Sequence, residues 1–398
     1  MMARQLDRRG FLGATGVALA GLPLLPDRLA ALPADASADA SWRGAVHAGY
    51  IGRMELKYEI FDLPTVHDFA IAREGARLRR DVWVRLRTAD GLEGWGEAAA
   101  TPFYGETAES VVAELPRLAD ALNAAVGDDF FAMEKAEKAL EVSLGRNPSA
   151  RAAISMALHD LVGKKLGVPV WKLFGVEPAG ALSSFTIGID TPEIMRQKVK
   201  EAAAYKNLKV KVGTPRDEEV LKIVREGAPH AAIRVDANTG WTPKQAVAAL
   251  PMLEEFGVEL VEQPVNADDL DGLETVRRAS RIPIIADESC KVATDVAHLV
   301  GKVDGVNIKL AKCASLREAL KIVHVARAHG MSLMLGCMVE STLGIAAAMQ
   351  IAPLVDWVDL DGAALLAKDP FTGPGIGPDG SLRFNTEPGL GVKRATKA

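Results

Sequence analysis

Five short segments decide how this chain folds. They are Lys209-Val210-Lys211-Val212-Gly213, Val235-Asp236-Ala237-Asn238, Val261-Glu262-Gln263-Pro264, Ala286-Asp287-Glu288-Ser289 and Asn307-Ile308-Lys309-Leu310. In each, a charged side chain closes a short apolar run. Successive charged positions are roughly 22 to 26 residues apart, about one strand-plus-helix unit of a (β/α) barrel. Such barrels keep their chemistry at the C-terminal ends of the strands. Taking Lys209–Lys211 as the second barrel strand, Asp236, Glu262 and Asp287 end the third, fourth and fifth, and Lys309 ends the sixth. Three neighbouring strands then offer three carboxylates to one point, a hard-oxygen set suited to Mg²⁺ with room left for water or substrate.

Side chains at i and i+2 of a strand share a face, so Lys209 and Lys211 both point inward while Val210 and Val212 face the surrounding helices. Two ammonium groups held close repel, which favours a neutral amine, a base, on one of them. An Asp at a strand end often only caps the next helix, as Asp236 before Thr242 could. That reading does not account for the whole set Lys211, Asp236, Glu262, Asp287 and Lys309 falling in register. Glu288, expected on the opposite strand face from Asp287, and Asn238 are read as supports for the metal ligands. Lys312 is read as a solvated or salt-bridged residue, and Glu340 has no partner legible in the sequence.

These motifs resemble the enolase superfamily, whose members pair a Lys or His base with Mg²⁺. The Lys-x-Lys pair facing a single Lys is similar to the muconate lactonizing enzyme subgroup. No histidine falls at a strand end opposite Lys211, unlike the mandelate racemase subgroup. Asp359-Leu360-Asp361-Gly362 resembles the Asp-x-Asp of the dipeptide epimerases, among them the L-Ala-D/L-Glu epimerases. The resemblance covers roughly residues 50 to 390. It implies an α/β fold, a modified TIM barrel (β/α)7β with an N-terminal α+β capping domain. The activity it implies is Mg²⁺-dependent epimerisation of dipeptides by 1,1-proton transfer next to a carboxylate, through an enediolate. One Mg²⁺ per subunit would sit on Asp236, Glu262 and Asp287. Lys211 and Lys309 would be the two bases, and Lys209 would lower the pKa of Lys211 or bind the carboxylate. Asp359 and Asp361 would receive the substrate ammonium, with loop capping near Gly362 the alternative. Arg73 resembles a loop arginine that holds a substrate carboxylate; a solvated loop arginine is equally consistent. Thr186, near the end of the first barrel strand, touches substrate or merely satisfies backbone groups. Other chemistries of the subgroup share the lysines and triad: N-succinyl amino acid racemase, o-succinylbenzoate synthase and cycloisomerase. They do not need the acid pair. A non-catalytic binding protein would need neither lysine.

The rest of the chain divides around this core. Residues 1–40 read as a twin-arginine signal peptide: Arg8-Arg9, an apolar run from Phe11 to Leu25, and small-residue sites that place cleavage after Ala36 or Ala40. A periplasmic location and a peptidoglycan-derived dipeptide are expected from it, with no membrane anchor once the signal is removed. Residues 45–165 read as the cap. Strands are expected over 45–62 and 80–90, with a polar loop from Leu63 to Arg79 between them. Gly94-Trp95-Gly96-Glu97 is expected in a hairpin-to-helix turn, with helices over 108–126, 131–142 and 147–166. Residues 166–362 are the barrel, its helix from Ser315 to His329 capped by Ser315, and 363–398 a Gly/Pro-rich return onto the cap. The net charge of −5 argues against a nucleic-acid partner. Cys290, Cys313 and Cys337 have no metal-ligand spacing and read as packed residues near the barrel rim. Nothing in the sequence chooses between a monomer and a homo-oligomer.

Overall fold

The computed structural model describes residues 54–70 and 75–395. The signal-peptide reading of residues 1–40 and the assignment of Arg73 lie outside them.

The first strands, β1 (Glu55–Ala70) and β2 (Gly75–Arg87), form a long antiparallel hairpin, and β3 (Glu93–Ala98) pairs with β2. The expected loop over Leu63–Arg79 is therefore largely strand: Leu63 pairs with Arg79 and Pro64 with Leu78, before a bulge. A ladder of backbone hydrogen bonds does not require apolar side chains, so this polar ribbon gave no sequence signal. It is anchored by Leu63, fully buried against Val339 and Leu366 at the barrel rim. The Gly94-Trp95-Gly96-Glu97 segment is likewise strand rather than turn.

Three helices complete the cap, α1 (Ala108–Val126), α2 (Met133–Ser143) and α3 (Pro148–Leu166). The third is buried nearly all round, as a helix between two layers must be. Its backbone lies directly on β3. A Cβ at Gly94 or Gly96 would stand 2.1 Å from the Ala157 carbonyl or 1.9 Å from that of Ala153. Only glycine allows that approach.

The barrel is one sheet of eight parallel strands: β4 (Phe185–Ile187), β5 (Asn207–Lys211), β6 (Ala232–Asp236), β7 (Val258–Glu262), β8 (Ile284–Ala286), β9 (Gly305–Ile308), β10 (Ser332–Gly336) and β11 (Trp357–Asp359). Each pairs with its sequence neighbour, and a bridge between Ser183 and Val358 closes first strand to last. Leu260, Ile285 and Met334 pack inside, while Val210, Val235 and Val261 face the helices. Helix Leu316–Ala328 begins at Ser315, whose hydroxyl accepts from the Glu318 N–H, as expected. Thr242, not Asp236, caps helix Pro243–Glu255. The segment after 363 forms two short ribbons, and Phe371 packs edge-on against Trp83 and Trp95 of the cap.

Candidate active site and metal centre

The parallel register brings the strand ends to one level. Lys211 pairs with Asp236 across β5 and β6, and Asp236 with Glu262 across β6 and β7. Asp287 lies one residue past β8 and Lys309 one past β9. Asp236, Glu262 and Asp287 are buried and can each offer an oxygen, all within 4.8 Å of one another. Lysines surround them. Lys209 Nζ is 3.0 Å from Asp236 Oδ2, 2.7 Å from Glu262 Oε2 and 2.9 Å from Asp359 Oδ2. Lys211 Nζ lies 2.7 Å from Asp236 Oδ2, and Lys309 Nζ 2.7 Å from Asp287 Oδ2.

The electrostatics follow from this crowding. Burial alone would raise all three acids. Lys209 and Lys211 nevertheless hold Asp236 well below the usual carboxylate range, and Lys309 and Lys312 do the same for Asp287. Glu262 moves the other way, to about 7, because burial and the charge of Asp236 outweigh Lys209. Its Oε2, completely buried, meets the Lys209 ammonium at 2.7 Å. A buried trio of acids, one of them hard to ionise, fits a divalent cation: two extra positive charges would offset the burial and the mutual repulsion of the carboxylates.

Burial pulls the pKa of Lys209 down, but Asp236, Asp359 and Glu262 together hold it well above the ordinary lysine value. It is a fixed cation among carboxylates. Lys309 is likewise held above the ordinary range, chiefly by Asp287 against the opposing effect of burial.

Asp359 ends β11 and Asp361 follows two residues later, both buried and both lining the cavity over the triad. Asp361 Oδ2 accepts from the Thr186 backbone N–H at 2.6 Å, so Thr186 lines the cavity and also orients Asp361. Asp359 Oδ1 is buried, with no hydrogen-bond partner among the described residues.

One expectation is corrected. Glu288 is not turned away from the site: past the end of β8 strand alternation no longer applies, and Glu288 lines the cavity, accepting from Asn238 Nδ2 at 3.4 Å. Of the two readings of Lys312, solvated or salt-bridged, the structure shows the salt bridge. It is buried, and its ammonium reaches Asp287 Oδ1 and three backbone carbonyls.

Several residues were missed. Asn307 Nδ2 donates to Glu262 Oε1 at 2.8 Å. Asp81 and Arg79 of β2 line the cavity from the cap side. Asp81 lies against Glu97 and shares a hydrogen bond with it. Glu97 accepts from the Ser341 N–H (2.9 Å), the Ser341 hydroxyl and the Gly344 N–H (3.1 Å), tying cap to barrel at the start of helix Thr342–Met349. Glu340, unassigned from sequence, is raised to about 8 by burial and by Glu97. Cys290 and Cys313 are buried and Cys337 is half-buried; all three are free.

Comparison with known proteins agrees with this geometry. Residues 57–175 match the mandelate racemase/muconate lactonizing enzyme N-terminal domain, and residues 194–398 the enolase C-terminal domain-like family. An L-Ala-D/L-Glu epimerase of Bacteroides thetaiotaomicron is 39% identical over 349 residues, covering 87% of this chain and 89% of that protein. A hydrophobic dipeptide epimerase of Roseobacter litoralis is 40% identical over 330 residues, covering 80% and 93%. The crystal structure of a dipeptide epimerase from Enterococcus faecalis, complexed with Mg and L-Leu-L-Tyr, superposes with a TM-score of 0.81 at 35% identity, covering 85% of this chain and 99% of that one. With both halves matched and the triad and lysines assembled at the strand ends, the chain belongs to the enolase superfamily, in its mandelate racemase/muconate lactonizing enzyme branch.

Proposed function

We propose that the protein is a Mg²⁺-dependent dipeptide epimerase. The observation that carries this reading is the pair of buried lysines, Lys211 and Lys309, flanking three convergent carboxylates, with a second acid pair across the cavity. Asp236, Glu262 and Asp287 would hold the cation, which supplies positive charge for the substrate carboxylate and for the negative charge that builds on it during proton loss. Lys211 arrives from β5 and Lys309 from the end of β9, so the two amines address opposite faces of a carbon held between them. One takes the α-proton and the other returns a proton to the far face, which inverts the centre. Lys209 remains charged and fixes the orientation of Asp236, Glu262 and Asp359. Asp359 and Asp361 receive the free ammonium of the dipeptide, with Thr186 holding Asp361 in place. The cap wall, including Arg79 and Asp81, closes the cavity.

The substrate class is a dipeptide with a free amino terminus; L-Ala-D/L-Glu or a related murein-derived dipeptide is our preferred member. Support comes from the epimerase relatives and from the Arg8-Arg9 signal-like segment. Export by the twin-arginine route to the periplasm belongs to the same reading. Arg8→Lys combined with Arg9→Lys should trap precursor in the cytoplasm; unchanged export would refute it. For the reaction, the test is mass gain in D₂O across a dipeptide library. Incorporation of one deuterium at the α-carbon with inversion is expected, lost on chelation and restored by Mg²⁺. Turnover undiminished by exhaustive chelation would refute the metal assignment.

A further inference from the structure

Each carboxylate of the triad has one oxygen already engaged from behind. Asp236 Oδ1 accepts from the Asn238 backbone N–H at 2.9 Å. Glu262 Oε1 accepts from Asn307 Nδ2 at 2.8 Å, and Asp287 Oδ1 from the Lys312 ammonium. The other oxygens, Asp236 Oδ2, Glu262 Oε2 and Asp287 Oδ2, are the ones met by Lys209, Lys211 and Lys309. Lys209 Nζ spans the first two of them, and one oxygen of each acid lies within 4.8 Å of the others.

The donors behind are rigid. Asn307 is fully buried, and a Cβ at Gly336 on β10 would stand 2.8 Å from its Nδ2 and 2.9 Å from its Oδ1. The amide is wedged against bare backbone and cannot swing away. Lys312 donates as well to the carbonyls of Asp287, Cys290 (3.0 Å) and Asn307 (2.9 Å). An ammonium has three protons, and four acceptors surround this one, so it is saturated and fixed. It is a strut joining the ends of β8 and β9, not a mobile base.

We propose that Asn307 and Lys312 are positioning residues that restrict Glu262 and Asp287 to one ligating oxygen each, and so set the preference of the site for Mg²⁺ over Ca²⁺. Mg²⁺ demands near-octahedral geometry with short bonds and is served by single carboxylate oxygens plus water or substrate. Ca²⁺ accepts six to eight oxygens and gains from bidentate carboxylates. With one oxygen of each acid held by a donor behind it, turning both oxygens toward one cation is disfavoured. Releasing an oxygen removes that restraint, enlarging the ligand set in the direction Ca²⁺ prefers. The opposite expectation, from charge alone, is that removing Lys312 simply tightens every divalent cation alike. This inference rests on the triad being a metal site and not on the identity of the substrate.

The test measures cation binding without dipeptide. Purified wild type, Asn307→Ala and Lys312→Met are titrated with Mn²⁺, with free Mn²⁺ followed by electron paramagnetic resonance. Mg²⁺ or Ca²⁺ then displaces the bound ion. Circular dichroism establishes that each variant is folded. Wild type should favour Mg²⁺. In Asn307→Ala the ratio of the two dissociation constants should move toward Ca²⁺ by about tenfold, the scale of effects from residues behind metal ligands. Lys312→Met should move it the same way. A ratio unchanged in both variants, whether the two cations weaken or tighten together, would overturn the proposal. Absence of Mn²⁺ binding by wild type would overturn the metal assignment itself, and this inference with it.

Discussion

Replacing Asp361 by Asn tests whether the acid pair receives a cation. Asn keeps the shape and still accepts from the Thr186 N–H, which lies 2.6 Å from Asp361 Oδ2, so the loop need not move. What is lost is one charge-assisted hydrogen bond to the substrate ammonium, on the order of 1.5 to 3 kcal/mol. At about 1.4 kcal/mol per decade, kcat/KM for a free dipeptide should fall by roughly one to two decades. The pH profile gives an independent reading. Burial, then the charge of Asp359, raises Asp361 to about 7, against the opposing pull of Thr186. An ammonium needs the ionised form. Below pH 7 the free enzyme holds a proton on Asp361 that must leave on binding, so wild-type kcat/KM should drop with acidification through 7. The Asn variant should lack that limb. N-acetylating the dipeptide should cost the wild type at least as much as the mutation does, and cost the variant less. The assay is initial rate of epimerisation by polarimetry or chiral chromatography, from pH 5.5 to 8.5. A wild type that turns over N-acylated substrate better than free dipeptide would refute the reasoning and favour an N-succinyl amino acid racemase.

Lys309→Ala should abolish epimerisation yet leave α-hydrogen exchange in D₂O from one substrate epimer, and Lys211→Ala should leave it from the other. Exchange of both epimers at wild-type rate in both variants would exclude the two-base scheme. A third prediction concerns stability. Glu137 accepts from the Ser155 hydroxyl at 2.7 Å and the Ser315 hydroxyl at 3.0 Å, but burial dominates and raises it from 4.5 to about 7. A raised acid favours the folded state while protonated, and that contribution is lost as pH rises from about 4.5 through 7. The loss should be about 2 to 3 kcal/mol in wild type and largely absent in Glu137→Gln, read from urea unfolding at pH 5 and pH 8. Equal losses in both proteins would contradict it.

The sequence by itself determined the barrel and its chemistry. Strand ends recurring every 22 to 26 residues, and lysines two apart on one strand, are local periodicities, and parallel pairing converts them directly into one ring of side chains. Asp236, Glu262, Asp287, Lys211 and Lys309 were legible for that reason, and so was the Ser315 cap, since its partner Glu318 is three residues away. What surrounds them was not. Glu97 is held by Ser341, 244 residues further on, and Glu262 by Asn307, 45 residues further on. No local pattern announces such a pair. For Lys312 the sequence leaves solvation and a salt bridge both open, because a lysine's charge by itself names no partner. Only the packed structure shows the four acceptors that make its burial affordable. The pairing of Leu63 and Pro64 with Arg79 and Leu78 was missed because a backbone ladder does not require apolar side chains. Residues that repeat with the secondary structure are written in the sequence. Residues whose role is to satisfy a distant buried group acquire it only when the tertiary fold brings that group within hydrogen-bonding distance.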